Sequence, residues 1–166
     1  MIKLTIPGKR NLNFTGAAVC TGMMGFAFYA QYRLLLDPCP LCILQRVAVI
    51  SLGIVFLLAA LHNPSRWGDR VYGALLALVT IAGAAVAGWH VRLQNLPAED
   101  VPSCGPGLDY MLENFPLGDA LQMVFKGSGE CAEVVWRLFG LSMPSWVLIG
   151  VLVTGGCGIW NNLRRG

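Results

Sequence analysis

The chain has 166 residues, 55% of them hydrophobic and only 13% charged, with a mean hydropathy of +0.60. Soluble domains are about a quarter charged, so this composition excludes an ordinary soluble domain and makes the lipid bilayer the expected surroundings. The formal net charge of +3 says little by itself, and no nucleic-acid partner is expected.

Four stretches lack Asp, Glu, Lys and Arg: residues 11–32, 47–65, 71–91 and 138–163. A helix needs about 20 residues to cross a ~30 Å hydrocarbon core, and in lipid it satisfies its backbone hydrogen bonds internally. The expected fold class is an all-α membrane protein. It is a single domain over residues 1–166, a four-transmembrane-helix bundle with one long outer loop.

Lys3, Lys9 and Arg10 precede the first stretch, which invites comparison with a cleavable signal peptide. The apolar run is too long for one and ends in Gln31-Tyr32-Arg33 without a small-residue cleavage site, so a retained helix near residues 12–35 is expected. Asp37-Pro38 ends it, because the residue before a proline is pushed out of helical geometry. The next ten residues, from Asp37, read D-P-C-P-L-C-I-L-Q-R. Pro40 suits a first helical turn, where its missing N–H costs nothing, and the second span is expected at about residues 41–62. His62-Asn63-Pro64-Ser65 closes it, leaving a short hairpin to a third span near 71–90 that is rich in Gly and Ala. Such small residues let membrane helices approach closely.

Residues 91–143 form the one long polar segment. Within it, residues 108–125 carry apolar side chains near helical spacing, and Pro116 interrupts them, so short amphipathic turns on the membrane surface are expected. Met111, Leu112 and Phe115 would rest on lipid, and the loop is expected to be mobile around Gly105-Pro106-Gly107 and Gly127-Ser128-Gly129. The fourth span falls near 144–162, with Trp136, Trp146 and Trp160 near its ends, as aromatic belts are.

Basic residues orient the bundle. Lys3, Lys9, Arg10, Arg66, Arg70, Arg164 and Arg165 all fall on one side, and eight of the nine acidic residues fall on the other. By the positive-inside rule the basic side, with both termini, is cytoplasmic.

Six cysteines are present. Cys20 and Cys157 lie within spans, where a thiol behaves as a small hydrophobe. Cys39 and Cys42 form a C-x-x-C that opens a helix, where the N-terminal amides stabilise a thiolate. Arg46, four residues on, shares the face of Cys42. An arginine this close to hydrocarbon is expensive and marks function, unless it snorkels to the headgroups. Cys104 and Cys131 lie in the outer loop, on the side where disulfides persist. They are either a structural staple or a second dithiol that exchanges with the first. Their separation of 26 residues does not suit a zinc site, which wants two close-spaced pairs, and no metal is expected. With no Rossmann or haem motif in the chain, a quinone head group near Cys42 and Arg46 fits as a lipid-borne electron acceptor.

The ordered set of C-P-L-C-I-L-Q-R opening the second span, a lone cysteine in the loop, then S-G-E-C-A-E-V-V-W and M-P-S-W, resembles the disulfide bond formation protein B family, DsbB, of bacterial inner membranes. The resemblance covers nearly the whole chain. It implies that Cys39 and Cys42 form a quinone-proximal disulfide, and that Cys104 and Cys131 form one presented to a periplasmic thioredoxin-fold oxidase, DsbA. It also implies that thiols of that partner attack Cys104, and that two electrons reach ubiquinone or menaquinone through Cys42. Arg46 matches a quinone-assisting arginine, and His90 a histidine near the same pocket; Trp136 and Trp146 could line it or anchor the helix. Gln45 stands where some relatives carry an acid. The redox cysteines would face the periplasm. Two other readings are a structural membrane subunit with a disulfide-stapled outer loop and a transporter with cysteine-lined metal access.

Overall fold

Four long helices carry most of the chain: α1 (Lys9–Arg33), α2 (Pro40–His62), α3 (Trp67–Leu93) and α6 (Met143–Leu163). Between α3 and α6 lie two short helices, α4 (Leu117–Lys126) and α5 (Gly129–Ala132), and a hairpin of β1 (Arg137–Leu138) with β2 (Leu141–Ser142). This computed structural model describes residues 8–65, 67–97, 99–100, 115–126 and 129–164. Among the described residues, α2, α3 and α6 are long and apolar enough to cross a membrane. The 25-residue α1 matches them in length, but Asn11, Asn13, Thr15, Thr21 and Gln31 dilute its apolar character. Length and composition therefore mark three spans, where the sequence led us to expect four.

The bundle is built on a repeat of alternating fours and threes. The face that α3 buries carries Asp69, Gly73, Leu76, Thr80, Gly83, Ala87 and His90, and α6 answers with Val151, Gly155, Gly158 and Asn162. An average step of about 3.5 residues keeps one seam facing a neighbour wound in a left-handed sense. The glycines serve close approach. Phe56 is 1% exposed, and a Cβ on Gly16 would stand 2.8 Å from its ring, while one on Gly158 would enter the same ring. Phe56 thus occupies a slot that only hydrogen on both neighbours leaves open, tying α1, α2 and α6 together.

At one end of the bundle polar groups bridge the helices. Lys9 of α1 pairs with Asp69 of α3 at 2.7 Å. Asn161 Nδ2 donates to the Lys9 carbonyl at 3.0 Å, and Asn162 Nδ2 donates to Asn13 Oδ1 at 3.0 Å. Amides inside a bundle act as interhelical glue because lipid offers no competing partner. These bonds set the starts of α1 and α3 beside the end of α6. Asp69, the one acid on the basic side, is thereby partnered. The turn from α2 to α3 is closed by Asn63, which takes the left-handed conformation (φ 42°) that ends a helix.

The other end holds Cys39, Cys42 and Cys131. Cys39, Leu41, Leu93, Val124 and Cys131 form a buried cluster there, with Cys42, Leu44, Val86 and Leu96 packed against it. Helix α4 starts directly after Pro116, and its Val124 turns into this cluster. Trp89 Nε1 of α3 donates to the Phe125 carbonyl at 2.8 Å. The amphipathic segment therefore packs in part on the protein, through Val124 and the Phe125 carbonyl. Phe115 is 37% exposed. Met111 and Leu112 lie outside the described residues, as do Gly105, Pro106, Gly107, Gly127 and Ser128, where mobility was expected. The β1–β2 turn has Phe139 (φ 52°) and Gly140 (φ 81°) at its centre, a two-residue hairpin with positive φ at both positions.

Candidate redox site

The site begins with how α2 starts. Cys39 is its N-cap, in extended conformation (φ −66°, ψ 164°), with Pro40 as the first helical residue. The Cys39 sulfur accepts the backbone N–H of Cys42 at 3.4 Å, doing for this helix what a serine oxygen does at most N-termini. That geometry brings the Cys42 sulfur to 3.0 Å from the Cys39 sulfur, at contact rather than bonded separation. Cys39 is 8% exposed, and Cys42 is half-buried.

Beside the pair opens a cavity of about 350 Å³. Met23, Met24 and Ala27 of α1, Val49 of α2, and Met143 and Val147 of α6 supply its apolar walls; Cys39, Cys42, Gln45, Arg46, His90, Gln94 and Trp136 bring the chemistry. Arg46 reaches across to α1. Its Nη1 donates to Gln31 Oε1 and its Nη2 to the Ala27 carbonyl at 3.2 Å, while the guanidinium lies 5.5 Å from the Phe28 ring centroid. The guanidinium is thus held at the cavity wall by α1. Trp136 packs against Phe26 of α1, with ring centroids 5.6 Å apart.

His90 connects the inner cysteines to the outer segment. It is 2% exposed, Nε2 lies 3.8 Å from the Cys39 sulfur, and the same nitrogen donates to the Cys131 carbonyl at 3.0 Å. Its Nδ1 meets Gln45 Nε2 at 2.8 Å. Cys131, 1% exposed, sits in the same apolar cluster as Cys39.

Of the residues singled out from sequence, the structure therefore gathers Cys39, Cys42, Cys131, Arg46, His90 and Trp136. Trp146 is set apart: its Nε1 donates to the Leu138 carbonyl at 3.2 Å, which braces the hairpin. Cys104 lies outside the described residues. Cys20 is buried between helices, and Cys157 is exposed on the outer face of α6. The polar lining residues not chosen from sequence include Gln45 and Gln94, with Asp37, Glu130 and Glu133 also on the cavity wall. Gln45 had a signal, since it interrupts the otherwise apolar buried stripe Leu41, Val49, Leu52, Phe56. The donor atoms of Cys39, Cys42 and His90 lie within 4.8 Å of one another, a set a soft cation could use, although His90 Nε2 is already engaged with Cys131.

The cavity fits a quinone head group in size and character. Small-molecule pockets start at about 300 Å³ and are mostly apolar, with a few converging polar groups. Gln94 Oε1 is buried without a hydrogen-bond partner among the described residues and lines this cavity, an acceptor suited to a hydroxyl such as that of a reduced quinone.

Comparison with known proteins shows the family. The family model described as "Disulfide bond formation protein DsbB" matches residues 9–161. A protein of Nitrosococcus oceani named Disulfide bond formation protein B is 52% identical over 153 residues, covering 92% of this chain and 90% of its own. Like-named proteins of Methylococcus capsulatus (46% over 164 residues, 98% and 100% covered) and Chromohalobacter salexigens (53% over 154 residues, 92% and 90% covered) are similarly related. With a cysteine pair opening a long apolar helix and a match along almost its whole length, the chain belongs to the disulfide bond formation protein DsbB family, membrane proteins of disulfide formation.

Proposed function

We propose that this disulfide-forming oxidoreductase oxidises the thiols of a periplasmic DsbA-like thioredoxin-fold protein and passes the two electrons to membrane quinone, ubiquinone or menaquinone. The observation that carries the reading is the Cys39–Cys42 pair, set at the first turn of α2 between a cavity walled by Arg46 and the buried Cys131.

In this reading the partner's two thiols become a disulfide as a Cys104–Cys131 disulfide is reduced. Thiol–disulfide exchange then moves the electrons inward: the Cys104–Cys131 disulfide re-forms, and Cys39 and Cys42 become thiols. Quinone, when bound, accepts two electrons and two protons. Arg46 would hold a quinone oxygen, Gln94 Oε1 would accept from a hydroxyl of the reduced form, His90 would line the pocket with both ring nitrogens engaged, and the methionines and valines of α1, α2 and α6 would exclude water. Arg46 supplies fixed positive charge where negative charge develops.

The same reading makes α1 a fourth span, with both termini in the cytoplasm and the cysteine end in the periplasm of a bacterial inner membrane. It is supported by Lys9, Arg70 and Arg164 lying at one end of the bundle and Cys39, Cys42 and Cys131 at the other, with the positive-inside rule setting the direction.

Purified protein in detergent, mixed with quinone and a reduced thioredoxin-fold partner, should bleach quinone absorbance as partner thiols disappear. Loss of that bleaching in Cys39→Ser or Cys42→Ser is required. If these variants still oxidise the partner, the disulfides only staple the outer loop. Labelling of positions 39 and 42 only from the cytoplasmic side would reverse the orientation.

A further inference from the structure

Gln45 and His90 are 4% and 2% exposed, and burying two polar side chains in an apolar bundle is costly unless their groups are matched. Here they are matched in one direction. A carbonyl oxygen only accepts, so the bond from His90 to the Cys131 carbonyl requires the ring proton on Nε2. The bare Nδ1 then needs a donor, which is the amide Nε2 of Gln45 at 2.8 Å. Gln45 thus holds a neutral imidazole with its one proton turned toward Cys131, 3.8 Å from the Cys39 sulfur.

The recipient of that proton matters as much. Cys131 lies in the four-residue helix α5, and the last carbonyls of a helix have no partner within it. His90 therefore caps α5 from α3 and fastens the turn that carries the outer cysteine onto the start of α2. We propose that Gln45 and His90 are a positioning pair that docks the Cys131 turn beside Cys39 and so governs exchange between the outer and inner cysteines.

The step served rests on the function proposed above, and it balances within the chain. A Cys131 thiolate attacks the Cys39 sulfur of the inner disulfide; the Cys39–Cys131 bond forms, the Cys39–Cys42 bond breaks, and Cys42 leaves as thiolate. A Cys104 thiolate then attacks Cys131, forming Cys104–Cys131 and releasing Cys39 as thiolate. Two electrons have moved inward, and the first attack needs Cys131 held against Cys39.

The test isolates that attack. In the full chain carrying Cys42→Ser and Cys104→Ser, oxidation with diamide should form a Cys39–Cys131 disulfide, timed by mass spectrometry of non-reduced peptides. Adding His90→Leu should slow it about tenfold, the loss expected for one buried hydrogen bond. His90→Gln, whose amide can still donate to the carbonyl, should stay within about twofold of the parent. A merely structural role would not give this rescue. Equal rates for parent and His90→Leu, or a His90→Gln as slow as His90→Leu, would overturn the proposal.

A second measurement needs no variant. The chain has two histidines, and nitrogen-15 spectra of the labelled native protein should show one with bare Nδ1 and a protonated Nε2 protected from exchange. A ring proton on Nδ1 of His90 would refute the docking geometry. Should the native chain fail to reduce quinone while these results hold, the function proposed above fails and the docking stands.

Discussion

Replacing Arg46 with Met separates what this side chain does for the bundle from what it does in the cavity. Methionine keeps an unbranched apolar stem but loses the bonds to Gln31 Oε1 and the Ala27 carbonyl and the stacking on Phe28. The structural loss is modest. The Ala27 carbonyl belongs to a continuous helix, Gln31 is only half-buried, and removing the cation also removes the cost of keeping it near hydrocarbon. We expect about 1 to 2 kcal/mol and a fall in Tm of ~5 °C. The catalytic loss should be larger. Removing one preorganised donor from a site where negative charge develops lowers rates by about 100-fold or more, so kcat/KM for quinone should drop that far. Arg46→Lys should recover only part of this, since an ammonium keeps the charge but does not span both α1 acceptors as a guanidinium does. The assay is quinone absorbance over a range of quinone concentrations, with thermal unfolding in the same detergent. Unchanged quinone kinetics in Arg46→Met, at any stability, would remove Arg46 from the site.

Gly158→Ala should destabilise by about 1–3 kcal/mol, because its Cβ would enter the Phe56 ring, whereas Gly156→Ala faces open space and should not lower Tm; equal Tm values for the two would refute the slot around Phe56. Cys104→Ser should abolish the mixed disulfide with the thioredoxin-fold partner, read on non-reducing gels, and persistence of that species would move the attack to another cysteine. Trp136→Phe should raise KM for quinone more than Trp146→Phe does, because only Trp136 lines the cavity; the reverse order would place the head group nearer the hairpin. Cys20→Ala and Cys157→Ala should leave turnover within about twofold, as thiols that behave as small hydrophobes, and a large loss in either would give that thiol a part in the relay.

Much of this protein was legible in its residue order, for a physical reason. Lipid requires each spanning segment to satisfy its own backbone, so most of each long helix appears as a charge-free stretch with proline or asparagine near its ends. The place of the C-x-x-C was legible too, because its position at a helix start is local chemistry: Cys39 caps α2 with its own sulfur, and Cys42 follows within one turn. Arg46 drew notice by its cost, and it lines the cavity.

What only the tertiary structure decided concerns residues far apart in the chain. Sequence alone put Cys131 in a polar outer loop, yet it is 1% exposed in the cluster of Cys39, because α5 folds back onto the ends of α2 and α3. Gln45 read as a departure beside an arginine and became the partner of His90, 45 positions away. Trp136 and Trp146 looked equivalent, and packing against Phe26 and the hairpin distinguished them. Periodicity and motif report what a segment needs from its own neighbours and from lipid. Which side chains from α1, α2, α3 and α6 converge on one cavity is set by how closely glycines such as Gly16 and Gly158 let those helices approach, and by the one seam their fours and threes allow.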